Sequence, residues 1–175
     1  VLSVDFSQDI KKVVTFGGEY LAKTVIVAVG ASPKELGLEG EAALVGRGIH
    51  YCAHCDGRFY KDKTVAVVGG GNSALQEAIL LSELASKVYV VQNLDDFTGE
   101  KKLVDILMSK SNVEVILGTE VASLIGDTEL QGIVVKNTHN DETKELSLDG
   151  LFIAIGLIPQ NDIFRNVVRL DSYGY

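Results

Sequence analysis

The two cysteines of this chain stand three apart in the run Cys52-Ala53-His54-Cys55-Asp56-Gly57. Sulfurs at that spacing can close a small ring, and in such pairs a thiolate is favoured by the amides of a helix start, which tunes it for exchange. Asp56, directly after Cys55, can shuttle the proton that a leaving thiolate needs. His54 is read as an exposed, variable residue between the sulfurs, with a perturbing effect on the thiols as the alternative. Zinc normally takes four ligands, often in two separated pairs. Here His50, His54 and the distant His139 are the histidines left to complete a set, and His50, Cys52, His54 and Cys55 are too crowded to converge on one tetrahedron, so no metal is expected. A structural disulfide is disfavoured in a reducing cytoplasm. Redox cycling is the leading reading, and a nucleotide-binding module whose cysteines are inert or sensory is the second.

The next segment with chemical potential is Gly69-Gly70-Gly71-Asn72-Ser73-Ala74, which follows the β-branched run Thr64 to Val68 and opens a helical pattern. This is the context in which a dinucleotide fingerprint works. Glycine at 69 permits the tight turn, glycine at 71 lets the backbone approach a pyrophosphate, and the small Ala74 lets helix and strand pack closely. Amides at Asn72 and Ser73 then face the phosphates. A glycine-rich turn that binds nothing is the plainer alternative. About 20 residues on, an acid or an arginine usually selects between the two nicotinamide cofactors. This chain has Gln92-Asn93-Leu94-Asp95-Asp96-Phe97, with no Arg, Lys or His between Tyr89 and Gly99. Gln92 and Asn93 are candidates for ribose hydrogen bonds, whereas Asp95 and Asp96 read as the polar start of the next helix.

Positioning these segments requires a particular order of elements. Val13 to Phe16 and a second run ending at 24–30 read as strands broken by Gly17-Gly18. Ser32-Pro33 and Gly37 to Gly40 then punctuate a connection. Ser73 to Ala85 places Ala74, Ala78, Leu81 and Ala85 on one helical face, Lys87 to Val91 is the next strand, Lys101 to Ser109 a helix and Val113 to Leu117 a third strand. Such alternation means a parallel sheet with covering helices. Leu130 to Asn137 and Lys144 to Leu148 flank the polar turn at His139 to Glu142 as an antiparallel hairpin, and Leu151 to Gly156 closes as an apolar strand. The expected fold is therefore α/β: a Rossmann-like parallel sheet with helices on both faces, a β-hairpin or meander, and β-rich flanking pieces.

Composition is consistent with that fold. Of the 175 residues, 46% are hydrophobic and 23% charged, which suits a chain that buries a core. A net charge of -8 argues against nucleic acid, whose affinity rests on Lys and Arg neutralising phosphates. No apolar run approaches the roughly 20 residues of a membrane span, and the first residues lack the character of a secretory signal, so a cytoplasmic protein is expected. The absence of an initiator Met and a start inside a strand-like pattern suggest a segment of a longer protein.

Two stretches, Gly48-Ile49-His50-Tyr51-Cys52-Ala53-His54-Cys55-Asp56-Gly57 and Val65-Ala66-Val67-Val68-Gly69-Gly70-Gly71-Asn72-Ser73-Ala74, resemble the pyridine-nucleotide domain of low-molecular-weight thioredoxin reductases. Thr24 to Ala31 and Gly150 to Gln160 resemble the strands that join it to the flavin domain. The resemblance implies a partial FAD-domain segment at 1–37, a nicotinamide-binding domain with the redox pair at 38–156, and a truncated return into the FAD domain at 157–175. It also implies that FAD passes electrons to the Cys52–Cys55 disulfide, with Cys55 facing the flavin, Cys52 attacking the thioredoxin disulfide and Asp56 donating the proton. Gly69, Gly71, Asn72, Ser73 and Ala74 would hold the cofactor's pyrophosphate, with Gly156 nearby, in a protein that acts as a homodimer. Typical members carry a His-Arg-Arg-type cluster for the 2′-phosphate where this chain has Gln92-Asn93-Leu94, which sets NADH, or a donor such as ferredoxin, beside NADPH. The chain has no amino-terminal FAD glycine fingerprint and stops before the family's second flavin-binding segment. A fragment that neither holds FAD well nor turns over alone is expected.

Overall fold

A computed structural model describes residues 1–175. Its contacts divide into two compact units, residues 1–32 with 157–175, and residues 33–156. In the first, β1 (Ser3–Asp5), β2 (Lys11–Thr15) and β3 (Gly18–Ala22) form an antiparallel sheet in which β2 and β3 turn at Gly17-Gly18. A short β4 (Ala31–Pro33) runs beside a last strand described below. The strand expected at 24–30 does not form. The chain provides no partner edge for it, and an unpaired strand leaves its backbone groups unsatisfied. Its apolar side chains stand in the open, Ile26 being 90% exposed.

The second unit begins with α1 (Glu41–Leu44) and a two-residue strand, β5 (Ile49–His50). The redox segment follows as a single helical turn, α2 (Ala53–Asp56), continued by a 3-10 turn at Gly57–Tyr60. Then come β6 (Thr64–Val68), α3 (Asn72–Ser82), β7 (Lys87–Val91), α4 (Lys101–Met108) and β8 (Val113–Ile116), close to the elements that hydrophobic periodicity predicts. Asp95 and Asp96 do not start α4. They lie in the loop before it, and Glu100 is the capping residue, so the acid at the helix's positive end is a different one. A meander follows, made of β9 (Thr119–Ile125), β10 (Gly132–Asn137) and β11 (Thr143–Ser147), with a register shift at Val134 and Val135. β12 (Gly150–Ile153) completes the unit, and β13 (Leu157–Pro159) is the partner of β4 in the first unit.

The central sheet has the order β5-β12-β6-β7-β8, and all four of its pairings are parallel. Alternation along β6 and β7 divides the core in two, as the two-residue side-chain period requires. Val65, Val67, Val88, Val90 and Phe152 pack against α3 and α4 through Ala74, Ala78, Leu81 and Leu107. Ala66, Val68, Leu151 and Ile153 face the meander and Leu44 of α1. The second face is thus covered chiefly by β9 to β11, with one short helix at its margin. No helix is long and apolar enough to cross a membrane.

β12 is the last strand in sequence yet sits between β5 and β6, pairing Phe152 with His50 on one side and with Val67 on the other. Phe152 is fully buried, stacks on the His50 ring at 5.3 Å and meets Tyr60 edge-on at 5.4 Å. Phe152→Ala is therefore expected to cost about 3–5 kcal/mol in urea unfolding. Ile26→Ala, at a site where nothing is packed, should stay within about 0.5 kcal/mol.

Candidate functional site

Parallel pairing places the carboxyl ends of β5, β12 and β6 at one edge of the sheet. Two residues past the His50, Phe152 and Val67 row lie Cys52, Ala154 and Gly69. The sheet order reverses around β6, with β12 on one side and β7 on the other, and a switch point of this kind opens a crevice at the carboxyl ends of the strands.

Such a crevice is present, a cleft of about 590 Å³ lined by Gly69 to Ser73, Gln92 to Leu94, Glu120 and Gly156, among others. Gly69 has φ +130°, and a Cβ there would lie 2.5 Å from the Ala154 carbonyl oxygen. Gly71 caps α3 without a side-chain hydrogen bond, and a Cβ on it would meet only Thr98 Oγ1, at 3.8 Å. The first amides of a helix have no carbonyl partner within it. With no side chain closing this end, the Asn72 and Ser73 backbone forms an open cradle suited to an anion. Ala74 is buried beneath it against the sheet. The residues present therefore fit the pyrophosphate of a dinucleotide.

The side chains around the cradle are more committed than the sequence suggests. Asn72 exchanges two hydrogen bonds with Glu100, its Nδ2 donating to Oε1 at 3.1 Å and its Oδ1 accepting from the Glu100 amide at 2.7 Å. Gln92 is 5% exposed, packs on Gly70, and donates to the Asp96 carbonyl at 3.4 Å. Asn93 lines the cleft and is exposed. Gly156, at φ +109°, also lines it and accepts from the Lys34 amide at 3.0 Å. Glu120 is the only charged residue in the lining. A basic side chain does approach the 92–97 loop from elsewhere: His139, in the β10–β11 turn, lies 2.6 Å from Asp95. Reading along the strand missed it, because the two are 44 residues apart.

On the redox side, Cys52 and Cys55 are joined in a disulfide with their Cα atoms 5.3 Å apart. Cys52 is the capping residue of α2, and its Sγ accepts the Cys55 amide at 3.2 Å. Cys55 and His54 are exposed, Cys52 half-buried. Asp56 Oδ2 lies 3.0 Å from His50 Nδ1, while His50 Nε2 lies 2.6 Å from the Tyr60 hydroxyl. Burial raises the Tyr60 pKa, and the nearby Asp56 charge adds to this. Tyr60 therefore stays a phenol, and its hydroxyl, the His50 ring and the Asp56 carboxylate lie in one hydrogen-bonded line. The signal for this relay in the sequence is only the placement of His50 two residues before Cys52. With both ring nitrogens so engaged, His50 is not set out as a metal ligand. Tyr51, the residue between His50 and Cys52, is pushed up to about 12 by burial and by the Glu41 and Glu35 carboxylates. Glu41 itself is buried and accepts the amides of Leu36, Gly37 and Leu38, fixing the loop that brings Leu36 to the cleft.

A family model described as pyridine nucleotide-disulphide oxidoreductase matches residues 1–175. The chain is 40% identical over 176 residues to the thioredoxin reductase of Streptomyces clavuligerus, covering 100% of this chain and 55% of that protein. It is 42% identical over 177 residues to the thioredoxin reductase of Vibrio cholerae, covering 99% of this chain and 55% of the relative. The crystal structure of Lactococcus lactis thioredoxin reductase in its FR conformation superposes with a TM-score of 0.91 at 29% identity, over 100% of this chain and 58% of the other. The chain spans little more than half the length of these proteins.

The two outer glycines of the cradle separate fold from opening. Gly69→Ala combines a backbone angle that side chains rarely adopt with a clash against backbone, and is expected to cost at least about 1–3 kcal/mol. Gly71→Ala should change unfolding free energy by no more than about 0.5 kcal/mol. Urea denaturation of the two variants checks the contrast.

Proposed function

Since the chain belongs to the pyridine nucleotide-disulphide oxidoreductase family, we propose that it is the nicotinamide-binding and redox-dithiol part of a flavin-dependent thioredoxin reductase. The observation that carries this is the Cys52–Cys55 disulfide, set at the same carboxyl edge of one sheet as an uncapped glycine cradle. The similar proteins of Streptomyces clavuligerus and Vibrio cholerae are named thioredoxin reductases, which supports thioredoxin as the disulfide substrate. In this reading 38–156 is the functional domain, and the flanking 1–37 and 157–175 belong to a flavin domain. A homodimeric, cytoplasmic whole protein belongs to the same proposal.

The roles follow from placement. Gly69, Gly71 and the Asn72, Ser73 and Ala74 backbone hold the dinucleotide's pyrophosphate, and Asn93 and Gly156 line its path. Gln92 shapes the floor through Gly70. FAD, when bound, supplies the two electrons that open the disulfide. No second strand, glycine loop and helix of the same kind occurs in residues 1–175, so none of its contacts is assigned here. Cys55 is the cysteine that receives electrons and Cys52 the one that attacks the protein substrate, because the Cys55 amide already donates to Cys52 Sγ and favours a thiolate there. Attack by that thiolate on thioredoxin's disulfide gives a mixed disulfide, and Asp56 passes the Cys55 thiol proton to the departing sulfur. Cys55, so deprotonated, then displaces the second thioredoxin sulfur, which leaves as a thiolate, and the Cys52–Cys55 bond is restored. His50 keeps Asp56 oriented throughout.

The electron source is NADH rather than NADPH. A 2′-phosphate would enter a cleft whose one lining charge is Glu120, and the histidine near the 92–97 loop is already paired with Asp95. A charge of nearly -2 gains little in such surroundings. The intact cradle favours a nicotinamide over ferredoxin.

Two measurements test the proposal. In dithiothreitol redox buffers the chain is expected to show one reversible two-electron transition in which Cys52 and Cys55 become alkylatable together; failure to find it would sink the reductase reading. Calorimetric titration should show NADH binding more tightly than NADPH, and weaker by at least about tenfold in Gly71→Ala, a loss of about 1.4 kcal/mol. Tighter binding of NADPH would overturn the assignment of donor.

A further inference from the structure

The roles above leave one acid unused. Glu77 lies on α3, which packs under the redox turn: a Cβ at Gly57 would touch Leu81 at 3.2 Å and Ala53 at 4.0 Å. The Glu77 Oε2 is buried and has no hydrogen-bond partner. The Ala53 amide, the first in α2, and the His54 side chain both act to lower the pKa of the carboxyl, against the larger effect of its burial. Asp56, on the same turn, is held by His50 instead. A buried carboxylate with an unsatisfied oxygen is costly when ionised, and the cost is removed by a proton.

Reducing Cys52–Cys55 changes what surrounds that acid. Two electrons from a dithiol break the S–S bond, and one of the resulting sulfurs carries negative charge where α2 begins. The Cys55 amide already serves Cys52 Sγ. The Ala53 amide is then contested between the new thiolate and Glu77, and two negative charges so placed disfavour each other. We propose that Glu77 takes up a proton when the Cys52–Cys55 disulfide is reduced, and so acts as a positioning residue that tunes the couple. This rests on the redox role assigned to the pair.

The linkage has a definite sign. Glu77's pKa is higher in the dithiol form than in the disulfide form, so reduction is favoured below both values and loses that advantage as pH rises through them. Burial, the larger effect, raises the pKa of the disulfide form above the ordinary carboxylate range, against the lowering by Ala53 and His54. Within the window between the two values the equilibrium constant for reduction by a dithiol falls by an extra factor of about ten per pH unit.

The test is a redox titration of the 175-residue chain against dithiothreitol between pH 5 and 9, beside Glu77→Gln and His54→Ala. Wild type and His54→Ala are expected to show the extra pH dependence. Glu77→Gln should lack it, match wild type at the acid end, and hold the dithiol form about tenfold more favourably at the alkaline end for each unit by which reduction raises the pKa. Redox-difference infrared spectra of the wild-type chain need no variant, and should show a protonated carboxyl band appearing on reduction. If the couple is reversible but its pH dependence is the same in Glu77→Gln, or no carboxyl band appears, the role of Glu77 is overturned while the reductase reading stands. If Cys52 and Cys55 form no reversible couple, both fall.

Discussion

The arrangement depends on one strand insertion. β12 enters the sheet between β5 and β6, about 85 residues after the latter begins, and the two are tied at their start by the Thr64 amide donating to Asp149 at 2.9 Å. Without it, β5 would be a two-residue strand held only by the bridge from Val45 to Ile49, and the redox turn that follows would lose its tie through the sheet to the glycine loop. Phe152 carries much of this burden, since its ring is packed against both His50 and Tyr60. The same contacts that hold the sheet together hold His50 against Asp56. The packing of β12 and the His50–Asp56 pair therefore share residues.

The two halves of the site use different physics. In the proposed nucleotide cleft the backbone forms the cradle: glycines leave room, and an uncapped helix start presents amides, while side chains such as Asn72 and Gln92 are tied to protein partners. Little cationic charge is present, so discrimination falls on what the cleft lacks. On the redox side the side chains do the work, through a disulfide at the start of a single helical turn and a phenol, imidazole and carboxylate in line. Glu77 joins the two, because it lies on the helix whose first turn forms the cradle and whose later turns support the cysteines.

Much of this was legible in the chain. Strand, glycine loop and helix are local features, so Thr64 to Ser82 announces its own structure. The strands β7 and β8 and helix α4 also follow from side-chain period alone. Other features required contacts between distant segments. The 24–30 run has the composition of a strand, yet no strand ladder forms along it, and its last residue, Gly30, accepts from the Gln160 amide. β9 is irregular in sequence because it carries an extra residue, Ala122, opposite the Val134–Val135 step of β10, which interrupts its two-residue alternation. His139 reaches Asp95 only because the meander folds back over the sheet, and the tie between Asn72 and Glu100 spans 28 residues. The relay from Tyr60 to Asp56 is nearly local, but only the structure shows that His50 lies between them.

The central claim is that the cradle and the disulfide serve one electron path. Its most direct test is alkylation of Cys52 and Cys55, read by mass spectrometry, in the full-length protein carrying FAD after addition of NADH under anaerobic conditions. The account predicts that both thiols become labelled together, and that Gly71→Ala suppresses the labelling while dithiothreitol still restores it. Labelling by dithiothreitol but not by a nicotinamide cofactor in the unaltered protein would contradict the account.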